Sequence, residues 1–136
     1  MTAAPEPVRI VAALVRDAQG RVLLVRKAGS GTFIQPGGKR EPGEDALATL
    51  ARELDEELGV AIRPGSTRRL GLFEDAAVHE RGRRVQAEVY AVEFVGTPVA
   101  RAEIAELRWV DPDATGDLAI APLSARHVLP LARSGG

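Results

Sequence analysis

The chain has 136 residues, of which 45% are hydrophobic and 27% are charged, and it contains no cysteine. This composition predicts one globular domain, residues 1–136, that buries a core without disulfides or thiolate-bound metals. A net charge of −1 argues against a nucleic-acid binder that neutralises many phosphates. The sequence shows no apolar run of membrane-spanning length and no signal-peptide pattern, so we expect a cytoplasmic protein with a small-molecule partner.

The N-terminal part of the chain predicts a flexible arm followed by two apolar strands. Residues 1–7 carry two prolines and are expected to be loose. Val8 to Val15 is almost continuously apolar, which is typical of a central strand covered on both faces. Turn-forming residues at 17–20 then lead into Arg21 to Arg26, and we expect the two strands to form a hairpin.

Residues 33–35 predict a short strand that runs into a Pro-Gly-Gly turn, and a long helix follows. Asp45 is the expected N-cap of this helix, and Gly59 is its expected stop. The helical period places two kinds of side chain on opposite sides. The side predicted to be buried carries Leu47, Leu50, Ala51, Leu54 and Leu58, and the other side carries Glu53, Glu56 and Glu57.

The second half of the chain predicts two longer strands and a less regular segment. The strands are expected at residues 68–73 and 84–95, with a hairpin tip at residues 80–83. Residues 102–107 are expected to be helical or irregular, and a brief strand follows at residues 108–110.

The chain is predicted to end in a helix from Leu123 to Ala132, capped by Ser124 and interrupted at Pro130, before a frayed tail at residues 134–136. Strands therefore lie on both sides of one long helix, and a second helix lies near the C-terminus. This order predicts an α/β fold in which a mixed sheet lies between helices.

Three glutamates lie where an ordinary helix disfavours them. Glu56 and Glu57 are in the last turn, at the negative end of the helix dipole, and Glu53 and Glu57 form a like-charge i,i+4 pair. A bound cation explains this placement, and an all-oxygen cluster suits Mg²⁺ or Mn²⁺. The alternative is a solvated helix face on which Arg52 pairs with Glu56.

The wider pattern favours the metal interpretation. Residues 38–60 have the form G-x5-E-x7-R-E-U-x-E-E-x-G-U, where U is aliphatic, and seven fixed letters match by chance in roughly one window in 10⁸. The matching residues are Gly38, Glu44, Arg52, Glu53, Leu54, Glu56, Glu57, Gly59 and Val60. This pattern is that of the Nudix box, and the chain resembles the Nudix hydrolases, the MutT-like superfamily.

The resemblance implies the α/β/α sandwich of that family and Mg²⁺-dependent (or Mn²⁺-dependent) hydrolysis of a nucleoside diphosphate linked to another moiety. It makes Glu56 and Glu57 metal ligands and implies a further ligand in the carbonyl of Gly37. We expect Glu53 to bind metal or to act as the general base, and Arg52 to orient the glutamates. A glutamate outside the box often completes the site, and Glu103 is the candidate, with Glu106 close behind.

The expected substrate contacts flank the glycine turn. Phosphate contacts are expected from Arg26, Lys27, Lys39 or Arg40, and Gly38 lets the backbone approach the ligand. Phe33 is a candidate to stack on a base, with burial in the core as the alternative. His79 and His127 are isolated and show no metal-ligand spacing.

The choice of substrate rests on elimination. The proline that accompanies ADP-ribose hydrolysis in the family is absent from residues 75–77, and the tyrosine associated with dinucleoside polyphosphates is also absent. We therefore expect a (deoxy)nucleoside triphosphate that is cleaved to the monophosphate and pyrophosphate. ADP-ribose, dinucleoside polyphosphates and nucleotide sugars remain alternatives, as does a non-catalytic nucleotide-sensing domain; a homodimer is also left open.

Overall fold

The structure, a computed structural model, describes residues 5–133, so residues 1–4 of the expected arm and the expected tail at 134–136 lie outside the described part. Within that part the elements are β1 (Val8–Leu14), β2 (Val22–Lys27), β3 (Phe33–Ile34), β4 (Gly37–Lys39), α1 (Ala46–Leu58), β5 (Ala61–Ile62), β6 (Arg68–Ala76), β7 (Arg84–Ala91), β8 (Phe94–Val95), β9 (Ile104–Val110), a π-helical turn (Ser124–Val128) and α2 (Leu129–Ala132).

Two sheets carry most of the fold. The first is four-stranded, in the order β4-β1-β7-β6, and the second is three-stranded, in the order β3-β2-β9; β5 pairs separately with β8. In the first sheet β1 runs parallel to β7 and antiparallel to β4, so the sheet is mixed, as expected. The prediction that the first strand is central is confirmed.

Burial on both faces explains the continuous apolar run of β1. Val11 and Ala13 pack into a core cluster that contains Leu50, Leu54 and Leu58 of α1. Ala12 and Leu14, on the opposite face, pack into a second cluster with Val128 and residues of α2. The predicted α/β/α sandwich, with sheet between helices, is confirmed. None of the helices in residues 5–133 is both long and apolar enough to cross a membrane.

The predicted hairpin between the first two strands is confirmed only next to the turn, and the two strands themselves do not pair. The chain does reverse after Asp17, whose side chain accepts the N–H groups of Gln19 and Arg21, and one bridge joins Arg16 to Val22. The strands then diverge, because β1 pairs with β4 and β7 whereas β2 pairs with β3 and β9. Turn residues indicate where the chain reverses, but they do not determine which strands pair.

The expected helical or irregular segment at residues 102–107 is also wrong. Residues 104–110 form β9, which pairs with β2 from Val22 opposite Val110 to Lys27 opposite Ile104. The local residues have moderate helix propensity, but pairing with β2, whose first four residues are buried, decides the outcome. The strand expected at residues 84–95 is divided into β7 and β8 by a break at residues 92–93.

The bounds of α1 agree with the prediction, but its buried face differs. Asp45 caps the helix by accepting the Ala48 N–H at 2.8 Å, and the helix ends at Gly59. Leu47, expected in the core, is 38% exposed, and Ala51 is exposed as well. The buried stripe instead comprises Ala46, Thr49, Leu50, Leu54, Glu57 and Leu58. Seven residues separate Leu50 from Glu57, which puts the two within about 20° on the helix.

The C-terminal helical segment also differs in detail. Ser124, the expected cap, makes no side-chain capping bond, because the helical conformation already includes Leu123. Residues 124–128 form a π-helical turn that continues directly into α2, and Pro130, which has no N–H to donate, lies just after this turn.

Replacing Asp45 with alanine is expected to lower the free energy of unfolding by about 1 kcal/mol, because the substitution removes the acceptor for the Ala48 N–H. Urea denaturation measures the change. Asp55→Ala is the matched control, since Asp55 is an exposed carboxylate near the negative end of the same helix. Equal losses in the two variants would contradict the assigned cap.

Candidate active site

A cavity of about 290 Å³ opens between residues of both sheets and α1. Its polar lining contains Lys27, Gly37, Gly38, Lys39, Glu53 and Glu103. Its apolar lining includes Val8, Ile10, Ile34, Val85 and Leu123. A charged part and an apolar part within one cavity can receive a ligand with a charged group and a flat or apolar group.

Glu57 is the most unusual charge in this region, because only 3% of it is exposed. Its Oε1 accepts a hydrogen bond from the Gly37 N–H at 3.3 Å. Burial is the main cause that raises the pKa of Glu57 to about 8; the neighbouring charges of Glu53 and Glu103 contribute to the rise, and Gly37 and Lys27 oppose it. A carboxylate in this position is stabilised by a positive charge, because the positive charge replaces the hydration that the carboxylate has lost.

Gly37 permits this close approach between strand and helix. Its φ of 149° is a conformation that residues with side chains rarely adopt, and a Cβ here would lie 2.1 Å from the carbonyl oxygen of Val11. The backbone of β4 can therefore lie against β1 while its N–H reaches Glu57.

Glu53 lies against the next glycine. A Cβ at Gly38 would be 2.4 Å from the carboxyl carbon of Glu53, so the two residues occupy adjoining space. Burial raises the pKa of Glu53, although Arg52 opposes the shift by donating from Nη1 to Glu53 Oε1 at 2.9 Å. This carboxyl lines the cavity and can accept a proton there.

Arg52 joins three parts of the site. Its Nε and Nη2 donate to the two oxygens of Glu44 at 2.7 and 2.9 Å, and Nη2 also donates to the carbonyl of Lys39 at 3.0 Å. Hydrogen bonds from Arg52, the Glu41 N–H and the Thr49 hydroxyl bring the pKa of Glu44 down to about 2. The alternative pairing with Glu56 is weaker, at 3.8 Å. Arg52 therefore fixes the loop before α1, the end of β4 and the Glu53 carboxylate.

The donor set fits a hard divalent cation, although its members are not gathered round one point. Among residues 5–133, no three acidic or histidine side chains are already arranged as a metal cluster. Glu56 and Glu103 are exposed, and Glu103 is 3.6 Å from the ammonium of Lys27. The fit rests on Glu57, since a buried carboxylate beside a second carboxylate is stabilised by a cation between them.

The structure brings some of the expected ligand contacts together and leaves others apart. Lys27, Lys39 and Gly38 line the cavity. Arg26 instead donates to Glu106 at 3.1 Å and to the Ser30 carbonyl at 2.8 Å. Arg40 pairs with Glu88 at 2.9 Å on an exposed surface.

Phe33 follows the alternative interpretation, since it is 3% exposed and belongs to the core. The guanidinium of Arg108 lies 5.2 Å from its ring centre. Strand alternation explains the placement, because Ile34, the next residue, lines the cavity instead. A ring so enclosed cannot stack on a base without rearrangement of the core.

Two segments contribute cavity residues that the sequence did not indicate. Residues 76–80, at the end of β6 and in the turn after it, include Val78 and His79, whose Nε2 is 3.1 Å from the Ser30 hydroxyl. Ala121, Leu123 and Ser124, at the start of the C-terminal helical segment, line the cavity as well. Neither segment carries a motif, and only the tertiary fold brings them to the glycine turn. His127, by contrast, pairs with Asp75 outside the cavity lining, at 3.0 Å.

Comparisons with known proteins agree with this architecture. A family model described as the NUDIX domain matches residues 6–132. The CTP pyrophosphohydrolase of Escherichia coli K12 is 32% identical over 123 residues, which are 85% of this chain and 84% of that protein. The 8-oxo-dGTP diphosphatase of Haemophilus influenzae is 27% identical over 126 residues, which are 89% of this chain and 88% of that protein.

Solved structures share this fold over almost the whole chain. The solution structure of the E. coli ORF135 protein superposes with a TM-score of 0.71 at 30% identity and covers 96% of both chains. The chain therefore belongs to the Nudix family of hydrolases. The resemblance inferred from residues 38–60 is confirmed.

Gly38→Ala is expected to reduce hydrolase activity at least about tenfold, with little change in melting temperature. The added methyl group must displace the Glu53 carboxyl, which is the far end of a flexible side chain and can move at small cost to the fold. Gly31→Ala is the matched control, because nothing lies within 4 Å of a Cβ there. Equal activity in the two variants would show that the position of the Glu53 carboxyl does not matter.

Proposed function

We propose that this chain hydrolyses a nucleoside or deoxynucleoside triphosphate to the monophosphate and pyrophosphate, with Mg²⁺ or Mn²⁺ as cofactor. Water attacks a phosphorus atom of the substrate, and one phosphoanhydride bond breaks. The observation that carries the proposal is the buried Glu57 carboxylate, beside Glu53 and against the glycine turn of β4.

The side chains of the site have separate proposed roles. Glu53, Glu56 and Glu57 would hold the divalent cation, together with the Gly37 carbonyl and Glu103. When bound, the cation supplies charge neutralisation at the phosphoryl oxygens and a polarised water.

Glu53 is the residue we assign to accept the proton of the attacking water, because its carboxyl lines the cavity and is held by Arg52. Arg52 is a positioning residue, since it also binds Glu44 and the Lys39 carbonyl. Lys27 and Lys39 line the same cavity and would attract the phosphates, for which their ammonium groups would exchange their present partners, Glu103 at 3.6 Å and Glu80 at 2.9 Å.

The size and lining of the cavity support a nucleotide substrate. A volume of about 290 Å³ and an apolar wall beside the charged residues suit a base joined to phosphates. Two relatives with nucleotide substrates in their names, a CTP pyrophosphohydrolase and an 8-oxo-dGTP diphosphatase, support the same substrate class. The small-molecule partner and the cytoplasmic location are part of this proposal, and a homodimer stays an untested prediction.

Glu57→Gln and Glu53→Gln are each expected to lower Mg²⁺-dependent pyrophosphate release at least about a hundredfold, because one removes a metal ligand and the other the proton acceptor. Initial rates with a panel of nucleoside triphosphates measure the effect, and circular dichroism checks the fold.

Glu93→Gln is the control for both, since Glu93 is exposed and its partner Arg63 is 3.8 Å away. Turnover like that of the wild type in both site variants would end the proposed assignment. Adding ADP-ribose, dinucleoside polyphosphates and nucleotide sugars to the panel, with phosphate and pyrophosphate measured separately, tests the remaining substrate classes. Selective hydrolysis of one of these would move the proposal to that class.

A further inference from the structure

A tight turn of residues 101–104 carries Glu103 at the cavity lining. The Ile104 N–H donates to the Arg101 carbonyl at 3.0 Å, so Ala102 and Glu103 are the two central residues of the turn. Ala102 has a φ of 53°, and no other non-glycine residue among residues 5–133 has a positive φ. A positive φ at the first central position alone is the pattern of a type II′ turn, which favours glycine at that position.

The alanine of the 101–104 turn has no explanation in packing. Ala102 is exposed, so its methyl group fills no space in the core. The turn of residues 115–118 has the same arrangement, with a hydrogen bond from the Leu118 N–H to the Thr115 carbonyl at 3.4 Å, but its first central residue is Gly116, with a φ of 62°. Backbone strain persists where the surrounding structure imposes it, and it is concentrated at functional sites. Position 102 therefore keeps a strained conformation next to a glutamate of the cavity.

Backbone hydrogen bonds attach the 101–104 turn to two elements of the site. On one side, the Arg101 N–H donates at 2.9 Å to the carbonyl of Glu57, which has no partner within the last turn of α1. On the other side, the Glu103 carbonyl accepts the Ala28 N–H at 2.8 Å, directly after β2. Ile104, the last residue of the turn, is buried in the core. These contacts fix the backbone of Glu103 relative to that of Glu57.

The side chain of Glu103 is held much less firmly than its backbone. It is 61% exposed, and its partner, the Lys27 ammonium, lies 3.6 Å away. An exposed ion pair of this length restrains a side chain weakly, so the direction of the carboxyl depends on the backbone of the turn. Burial is the main cause of the raised pKa of Glu53 and of Glu57, and the negative charge of Glu103 contributes to both shifts. The charge of Glu103 therefore reaches both carboxylates of α1.

We propose that Ala102 is a positioning residue, whose positive φ directs the Glu103 carboxyl toward Glu53 and Glu57. The inference rests on the proposed function, in which Glu103 completes the metal site, and it explains why an exposed alanine keeps a conformation suited to glycine. Alanine allows the backbone fewer conformations than glycine does, so it holds the carboxyl of the next residue within a narrower range.

Ala102→Pro changes the type of the 101–104 turn but not its length. Proline fixes φ at about −65°, which excludes a positive φ, yet it is favoured at the first central position of type I and type II turns. We therefore expect the fold to remain and the Glu103 carboxyl to be redirected. Calorimetric titration with Mn²⁺, without substrate, is expected to show binding at least about fivefold weaker than in the wild type, and kcat for triphosphate hydrolysis is expected to fall at least about tenfold.

Gly116→Pro is the matched control, because it makes the same change in the 115–118 turn, which lies outside the cavity lining. It is expected to keep the wild-type Mn²⁺ affinity and kcat. Ala102→Gly permits the positive φ and is expected to stay within about threefold of the wild type on both measures. Thermal unfolding checks the fold of each variant. If Ala102→Pro does not fold, Ala102→Val takes its place, since a β-branched side chain disfavours positive φ.

A double variant tests whether Ala102 acts through Glu103. In the Glu103→Gln background, Ala102→Pro is expected to change Mn²⁺ affinity and kcat by less than about twofold, because the carboxylate that it displaces is already absent. Losses that multiply in the double variant would overturn the inference, since the turn would then act on another group. Wild-type values in Ala102→Pro, or in Glu103→Gln, would overturn it as well.

Metal binding without turnover separates this inference from the proposed function. A loss of Mn²⁺ affinity in Ala102→Pro that depends on Glu103, in a protein that hydrolyses no triphosphate, would support the inference and reject the proposed function. Hydrolysis that requires Glu53 and Glu57 but is indifferent to Glu103 and Ala102 would reject the inference and leave the proposed reaction intact. Absence of both hydrolysis and Mn²⁺ binding would reject both.

Discussion

The burial of one carboxylate is the constraint on which the rest of the site depends. Glu57 shares the buried stripe of α1 with Leu50 and Leu54, so the same packing that forms the core removes Glu57 from water. A charged group without hydration is costly unless a positive charge or several hydrogen bonds replace the water. Gly37 provides one N–H, and a divalent cation would provide the remainder. Core packing and the proposed metal site are therefore one feature of this helix.

Arg52 holds the second carboxylate by linking elements that are distant along the chain. Its guanidinium bonds Glu44 before α1, the Lys39 carbonyl at the end of β4, and Glu53 on the helix itself. The rigid fork of donors fixes these three directions at once, which a lysine ammonium cannot do. Glycine at position 38 leaves the space that the Glu53 carboxyl needs. The geometry of the cavity therefore depends on this network as much as on the acidic residues.

Local signals in the sequence were sufficient for α1 and β1, because a cap, a stop residue and a continuous apolar run each act within a few residues. They were insufficient for β9, whose local helix propensity is overridden by pairing with β2. The burial of Glu57 was missed because the acidic pattern suggested a single exposed face, whereas its position is that of Leu50 two turns earlier. The residues around His79 carry no motif, and only tertiary contacts bring them to the cavity.

Thermal unfolding of the wild type and Glu57→Gln, with chelator and with millimolar Mg²⁺ at pH 8, tests the central claim most directly. The raised pKa of Glu57, about 8, means that the folded carboxyl holds its proton more tightly than the unfolded one, so a stability cost accumulates as pH rises toward that value. With chelator, Glu57→Gln should therefore melt above the wild type. With Mg²⁺, the wild type should gain several degrees and the variant little, because binding to the folded state stabilises it. An equal Mg²⁺ response in the two proteins, or none in the wild type, would contradict the account.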